Sequence, residues 1–167
     1  MNIVLIGYRG TGKSVVGAEL ARRLGMTCVS MDDRIAEKTG MEIPEIVDKF
    51  GWPGFRDMET EVARELSGQT NLVIDTGGGV IERAENMAAL GADACLVWLK
   101  ASVETIVTRI SGGTERPALT SGKTFTEEVA EVLERRLSKY KAAAHHEIDT
   151  DRLSIDQIVA RVIELYQ

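Results

Sequence analysis

Two kinds of hydrophobic pattern alternate along the chain. Short, almost wholly apolar runs fall at residues 2–6, 26–31, 72–74 and 94–99, with a shorter one around Ile148. Unbroken runs of this length fit strands covered on both faces. Between them, apolar residues recur every three or four positions, the period of a helix with one buried face. Val16, Leu20 and Leu24 form one such stripe, stopped by Gly25. A short helix is predicted from the end of the second strand to about Lys38, stopped by Gly40, and Pro44 sits where another can begin. Gly51-Trp52-Pro53-Gly54 reads as a turn, after which Phe55, Met58, Val62 and Leu66 share one helix face. Met87 and Leu90 belong to a short helix, and Ser102 caps another carrying Val103, Ile106, Val107 and Ile110. Thr124 with Glu127, and Ser154 with Gln157, have capping-box spacing. They open a long helix running to about Ala144 and a last one with Ile158, Val159, Val162 and Ile163 inward.

Residues 111–123 break the rhythm, with four glycines or prolines and little apolar content. A stretch of that length without periodicity is either disordered or functional. Elsewhere strand and helix alternate with no hairpin signal. This predicts one α/β domain over residues 1–167, a parallel sheet with helices on both faces. Such sheets bind ligands beyond the carboxyl ends of their strands. Four strand ends carry polar or glycine-rich residues: the segment after Ile6, Ser30-Met31-Asp32, Asp75 with Gly77-Gly78-Gly79, and Asp149-Thr150-Asp151.

The first of these ends is Gly7-Tyr8-Arg9-Gly10-Thr11-Gly12-Lys13-Ser14, the G-x-x-x-x-G-K-S pattern of a phosphate-binding P-loop, with a strand before it and a helix after. Its glycines let backbone N–H groups turn toward an anion, Lys13 supplies a point charge for the outer phosphates, and the Ser14 hydroxyl is a Mg²⁺ ligand. A nucleoside triphosphate with Mg²⁺ is the expected ligand. The net charge of −6 argues against a general nucleic-acid binder. No apolar run is long enough to span a membrane and no leader precedes the P-loop, so a cytoplasmic protein is expected. Cys28 and Cys95 lie in apolar runs and read as buried, reduced thiols. His145-His146 reads as a polar helix end, not a metal pair, and Met26, Met31, Met41, Met58 and Met87 as core or pocket filler.

Beyond the P-loop, several motifs occur in order: Asp32 with Gly40, Gly54-Phe55-Arg56-Asp57-Met58-Glu59, Gly77-Gly78-Gly79, Arg116-Pro117, Arg136 with Tyr140, and Asp149-Thr150. With these the chain resembles the shikimate kinases over its whole length, and residues 52–56 and 119–134 are most similar to the second bacterial isoform. The resemblance implies a three-layer α/β/α P-loop kinase fold with strand order 2-3-1-4-5. It implies transfer of the ATP γ-phosphoryl group to the 3-hydroxyl of shikimate, in the route to aromatic amino acids, by a monomer whose partners are ATP and shikimate alone. Residues 32–60 become substrate-binding helices and residues 111–123 a mobile lid. The implied catalytic residues are Lys13, Asp32 and Arg116. Gly10, Thr11, Gly12, Lys13, Ser14, Val15, Arg109, Arg116, Asp149, Thr150 and Asp151 are implied at ATP. Asp32, Arg56, Gly77, Gly78, Gly79 and Arg136 are implied at shikimate, with Arg56 and Arg136 clamping its carboxylate. Read without the resemblance, Asp32 is equally an N-cap, Asp33 a cap or surface residue, and each Arg a solvated side chain.

One departure stands out. The family's second strand ends in Asp-Ser/Thr-Asp, whereas this chain has Ser30-Met31-Asp32, so the first carboxylate, which supports Mg²⁺ through water, is missing. Where the family has a small residue before the glycines, this chain has Asp75, at the end of Val73-Ile74-Asp75, the form of a Walker B element. Two expectations follow for Asp75: it joins Ser14 at the metal, or it caps the glycine turn. Two alternatives to shikimate kinase remain: a kinase of the same fold acting on another hydroxylated acid such as gluconate, and a nucleotide-binding relative without phosphotransfer.

Overall fold

The computed structural model of the protein describes residues 1–110 and 123–167. These residues form five strands: β1 Asn2–Ile6, β2 Thr27–Ser30, β3 Leu72–Asp75, β4 Ala94–Lys100 and β5 His146–Asp149. Their helices are α1 Lys13–Leu24, α2 Met31–Thr39, α3 Ile43–Ser67, α4 Ala84–Gly91, α5 Val103–Ile110, α6 Phe125–Ala143 and α7 Ile155–Tyr166, with a 3₁₀ turn at Val80–Glu82. All strand pairs are parallel, in the order β2-β3-β1-β4-β5 that the resemblance implies. The chain therefore has the α/β architecture expected of it.

Strand alternation divides the interior into two cores. Ile3 and Leu5 join Val73, Cys95, Val97 and Leu99 in the core that includes Leu20 of α1 and Val159 and Val162 of α7. Val4 and Ile6 join Ile74, Leu96 and Trp98 in the core that includes Phe55 and Val62 of α3 and Tyr140 of α6. β1, β3 and β4 are apolar apart from one end residue each (Asn2, Asp75 and Lys100) because both faces are covered. Each large aliphatic side chain buried this way contributes about 1.5–3 kcal/mol.

Three local outcomes differ from the sequence pattern. β2 ends at Ser30, whose hydroxyl accepts the Asp33 N–H and caps α2, so Met31 is the first residue of that helix. Asp32 is therefore released from capping. β2 is also an edge strand, and Cys28 is exposed, not buried, whereas Cys95 is buried in the sheet. Finally, the Gly51–Gly54 turn is a kink within α3. Gly51 takes φ 70° and ψ 175°, and Pro53 begins the second half of the helix, where its missing N–H breaks no hydrogen bond.

Candidate active site

The P-loop bridges β1 and α1. Gly7, Gly10 and Gly12 have φ of 147°, 84° and 97°, values that only glycine adopts easily, and a Cβ on Gly7 would lie 2.5 Å from the Leu99 carbonyl oxygen. Thr11 closes the loop by donating to the Tyr8 carbonyl at 2.8 Å. The buried Lys13 ammonium donates to the Gly7 and Tyr8 carbonyls at 2.7 and 3.0 Å. With the lysine folded back, the loop's rim and the start of α1 line a cavity of about 720 Å³ that also takes in Ser30, Asp32, Asp75, Gly77, Gly78 and Arg109. Three of the four strand ends thus converge as expected.

Register explains the metal-side carboxylate. Ser30 and Asp75 are paired across β2 and β3, so a carboxylate on either strand reaches the same ground. Asp75 is almost fully buried and accepts the Ser14 hydroxyl at 2.6 Å. Its burial pushes the carboxyl above the usual range, opposed by the Ser14 hydrogen bond and the Lys13 charge. Hydroxyl and carboxylate oxygens side by side suit a hard cation such as Mg²⁺. Among the described residues no group of three or more His, Cys, Asp or Glu could hold a metal by itself.

On the far side of the cavity the three glycines make room for charged groups. A Cβ on Gly79 would fall 2.2 Å from both terminal nitrogens of Arg56, and one on Gly77 would fall 3.0 Å from carboxylate oxygens of Asp32 and Glu59. A Cβ on Gly78 would lie 3.6 Å from Nη1 of Arg136. Tyr140, fully buried, donates its hydroxyl to the Gly78 carbonyl at 2.6 Å. Arg56 donates to the fully buried Glu59 at 3.0 Å, with its guanidinium carbon 5.2 Å from the Trp52 ring centre and 5.4 Å from that of Phe55. Arg136 is buried, with its guanidinium carbon 5.7 Å from the Tyr8 ring centre. Asp32, Arg56 and Arg136 therefore come together around one glycine turn.

On the nucleotide side, Arg109 reaches from α5 to the Gly10 carbonyl at 3.2 Å and to the Thr150 hydroxyl at 3.3 Å. Thr150 is buried and also donates to the Lys100 carbonyl at 2.7 Å. Asp149 accepts the Asp151 N–H, and Asp151 accepts the Ser102 N–H, each at 3.0 Å. That second bond is the main cause holding the Asp151 carboxyl below its ordinary value. Asp149 and Asp151 also line a cavity with Arg152 and Arg161, while Thr150 between them is tied through Arg109 to Gly10 of the P-loop. Arg116 and residues 111–122 of the expected lid lie outside the described residues.

Sequence reasoning named Val15 but missed Ile155 beside it: the two, 59% and 37% exposed, share a hollow with Ser14 and Ala18. The available signal was an isoleucine on the polar side of a capped helix. It also missed that His145 accepts the Leu96 N–H on its ring nitrogen at 3.2 Å, linking the segment before β5 to β4.

A P-loop with its lysine and an adjacent polar pocket on a five-stranded parallel sheet define a nucleoside-triphosphate-dependent enzyme of the small-molecule kinase type. The Shikimate kinase family model matches residues 9–167. A shikimate kinase of Thermodesulfovibrio yellowstonii is 40% identical over 166 residues, covering 99% of this chain and 95% of the relative. A shikimate kinase 2 of Sodalis glossinidius is 39% identical over 168 residues, covering 99% and 95%. The structure of Acinetobacter baumannii shikimate kinase in complex with shikimate matches with a TM-score of 0.93 and 35% identity, covering 98% of this chain and 91% of that one. The chain belongs to the shikimate kinase family.

Proposed function

We propose that the protein transfers the γ-phosphoryl group of ATP to the 3-hydroxyl of shikimate, giving shikimate 3-phosphate and ADP. The observation that carries this reading is the single cavity that joins the P-loop to Asp32 and the glycine turn, with Arg56 and Arg136 held behind that turn. An acceptor with one carboxylate and several hydroxyls matches these groups: two guanidiniums for the carboxylate, and Asp32 with glycine backbone for the hydroxyls.

In the reaction, Asp32 orients the 3-hydroxyl and accepts its proton as the oxygen attacks the γ-phosphorus. The bond from that phosphorus to the ADP oxygen breaks. Lys13 leaves the loop carbonyls and follows the phosphoryl group, offsetting charge that develops on its oxygens. Gly10, Thr11, Gly12 and Ser14 hold the phosphates, while Arg109 and the Val15–Ile155 lip flank them as the seat of the base. Arg116, in a lid over residues 111–123, completes the charge around the transferred group and excludes water. Ser14 and Asp75 would hold Mg²⁺, which would supply positive charge to offset the phosphates' repulsion toward the incoming oxygen. The reading takes the protein as a monomer working in the cytoplasm. No helix of the described residues is long and apolar enough to cross a membrane.

A coupled assay of ADP release, with and without shikimate, tests the reading. Turnover that requires shikimate supports it. Turnover that ignores shikimate makes the protein a plain ATPase, and turnover with gluconate alone makes it a kinase of another acid.

A further inference from the structure

No motif assigned a role to Glu82, yet the structure sets it against α6 beside the buried Arg136. It ends the 3₁₀ turn that begins directly after Gly79. Its carboxylate meets three cations of α6: Arg135 at 3.2 Å, Arg136 at 3.4 Å and Lys139 at 3.6 Å. These cations hold the Glu82 carboxyl below its ordinary range despite the opposing effect of burial.

The contact with Arg136 differs in kind from the other two. The Arg135 and Lys139 side chains are about half exposed, whereas that of Arg136 is 4% exposed. A buried guanidinium needs a counter-charge, and Glu82 is its ion-pair partner. The pair approaches through Nε: Glu82 Oε1 faces Arg136 Nε as an ion pair, and neither atom has a hydrogen-bond partner among the described residues. The opposite part of the guanidinium is at Gly78, which lines the cavity. A guanidinium has donors to spare for a second anion. One carboxylate shared among three cations also leaves the cluster positive.

We propose that Glu82 is a positioning residue for the acceptor carboxylate: it anchors Arg136 by Nε and leaves the outer guanidinium nitrogens aimed past Gly78 at the substrate. This rests on the reading of Arg136 as a shikimate ligand. Glu82 touches no substrate itself and acts through the angle and rotamer of Arg136.

The test is a double-mutant cycle on the full chain, with both KM values and kcat measured for Glu82→Ala, Glu82→Gln, Arg136→Met and the Glu82→Ala/Arg136→Met pair. Loss of one charge-assisted anchor predicts a rise of about tenfold in the KM for shikimate in Glu82→Ala, while kcat and the KM for ATP shift by less than about twofold. Glu82→Gln keeps an acceptor in place and recovers part of the loss; it also carries the test if the alanine variant does not fold. In the Arg136→Met background, removing Glu82 has no further effect. Multiplying effects in the pair overturn the positioning role. So does an unchanged shikimate KM in Glu82→Ala when Arg136→Met raises it. An unchanged shikimate KM in Arg136→Met overturns the assignment of Arg136 itself, and the inference falls with it.

Discussion

Two side chains show how single atoms set this site. Asp75 is held by one hydrogen bond from Ser14, on the strand position paired with Ser30. Removing it leaves Ser14 as the chain's sole proposed metal ligand. Asp75→Ala is expected to raise the Mg²⁺ concentration needed for half-maximal ADP binding, read by calorimetry, by about tenfold or more, with a much smaller change in shikimate binding. An unchanged Mg²⁺ titration would return Asp75 to a structural role. Tyr140 fixes the Gly78 carbonyl, and Tyr140→Phe leaves that oxygen unpaired in the core. A loss of about 1–2 kcal/mol in denaturant unfolding is expected at neutral pH. Burial also raises the Tyr140 hydroxyl pKa far above its ordinary 10.0. A group whose folded pKa is raised contributes stability that is complete below its unfolded pKa and is lost as pH rises toward the folded value. Wild-type stability should therefore fall above pH 10.0, and fall less steeply in Tyr140→Phe. Lys13 and Ser14 announce themselves by the P-loop spacing alone, whereas Asp32 and Arg56 stood out only through the family resemblance. The Ser14–Asp75 contact became certain only through strand register, and Glu82 carried no local signal because its partners lie more than fifty residues away on α6.

At the scale of elements, the turn from β3 into the 3₁₀ segment does the most. Its glycines are absences that let two arginines and two carboxylates approach from α2, α3 and α6. Gly79→Ala would push a methyl group into the end of the Arg56 side chain, which can swing aside. The expected result is a folded protein with a melting temperature within a few degrees of wild type and a shikimate KM raised by about tenfold or more, read by thermal unfolding and steady-state kinetics. The α3 kink follows similar logic. Sequence patterning found the break at Gly51-Trp52-Pro53-Gly54 but read it as a turn between elements, because glycine and proline signal chain reversal and helix restart alike. Packing decided the matter: Trp52 and Phe55 meet edge to face at 5.8 Å, and Phe55 is buried in the core. Cys28 was misread for a related reason, since an apolar run does not disclose which strand forms the edge of the sheet.

At the scale of the molecule, the fold brings two chemistries to one sheet edge. β1 delivers the phosphate-binding loop, while β2, β3 and α6 deliver the acceptor groups, and the order β2-β3-β1 sets them side by side. Alternating apolar strands and amphipathic helices made that architecture readable at once. At the end of β5, Asp149 and Asp151 hold backbone N–H groups of their own turn and of Ser102, contacts that the spacing of these residues did not disclose. The central claim is that phosphate moves from ATP to shikimate within this cavity. Phosphorus NMR of a reaction containing the protein, ATP, Mg²⁺ and shikimate tests it most directly. The account predicts ADP and shikimate 3-phosphate in equal amounts, and no ADP when shikimate is left out. Inorganic phosphate appearing in place of the phosphate ester would contradict it.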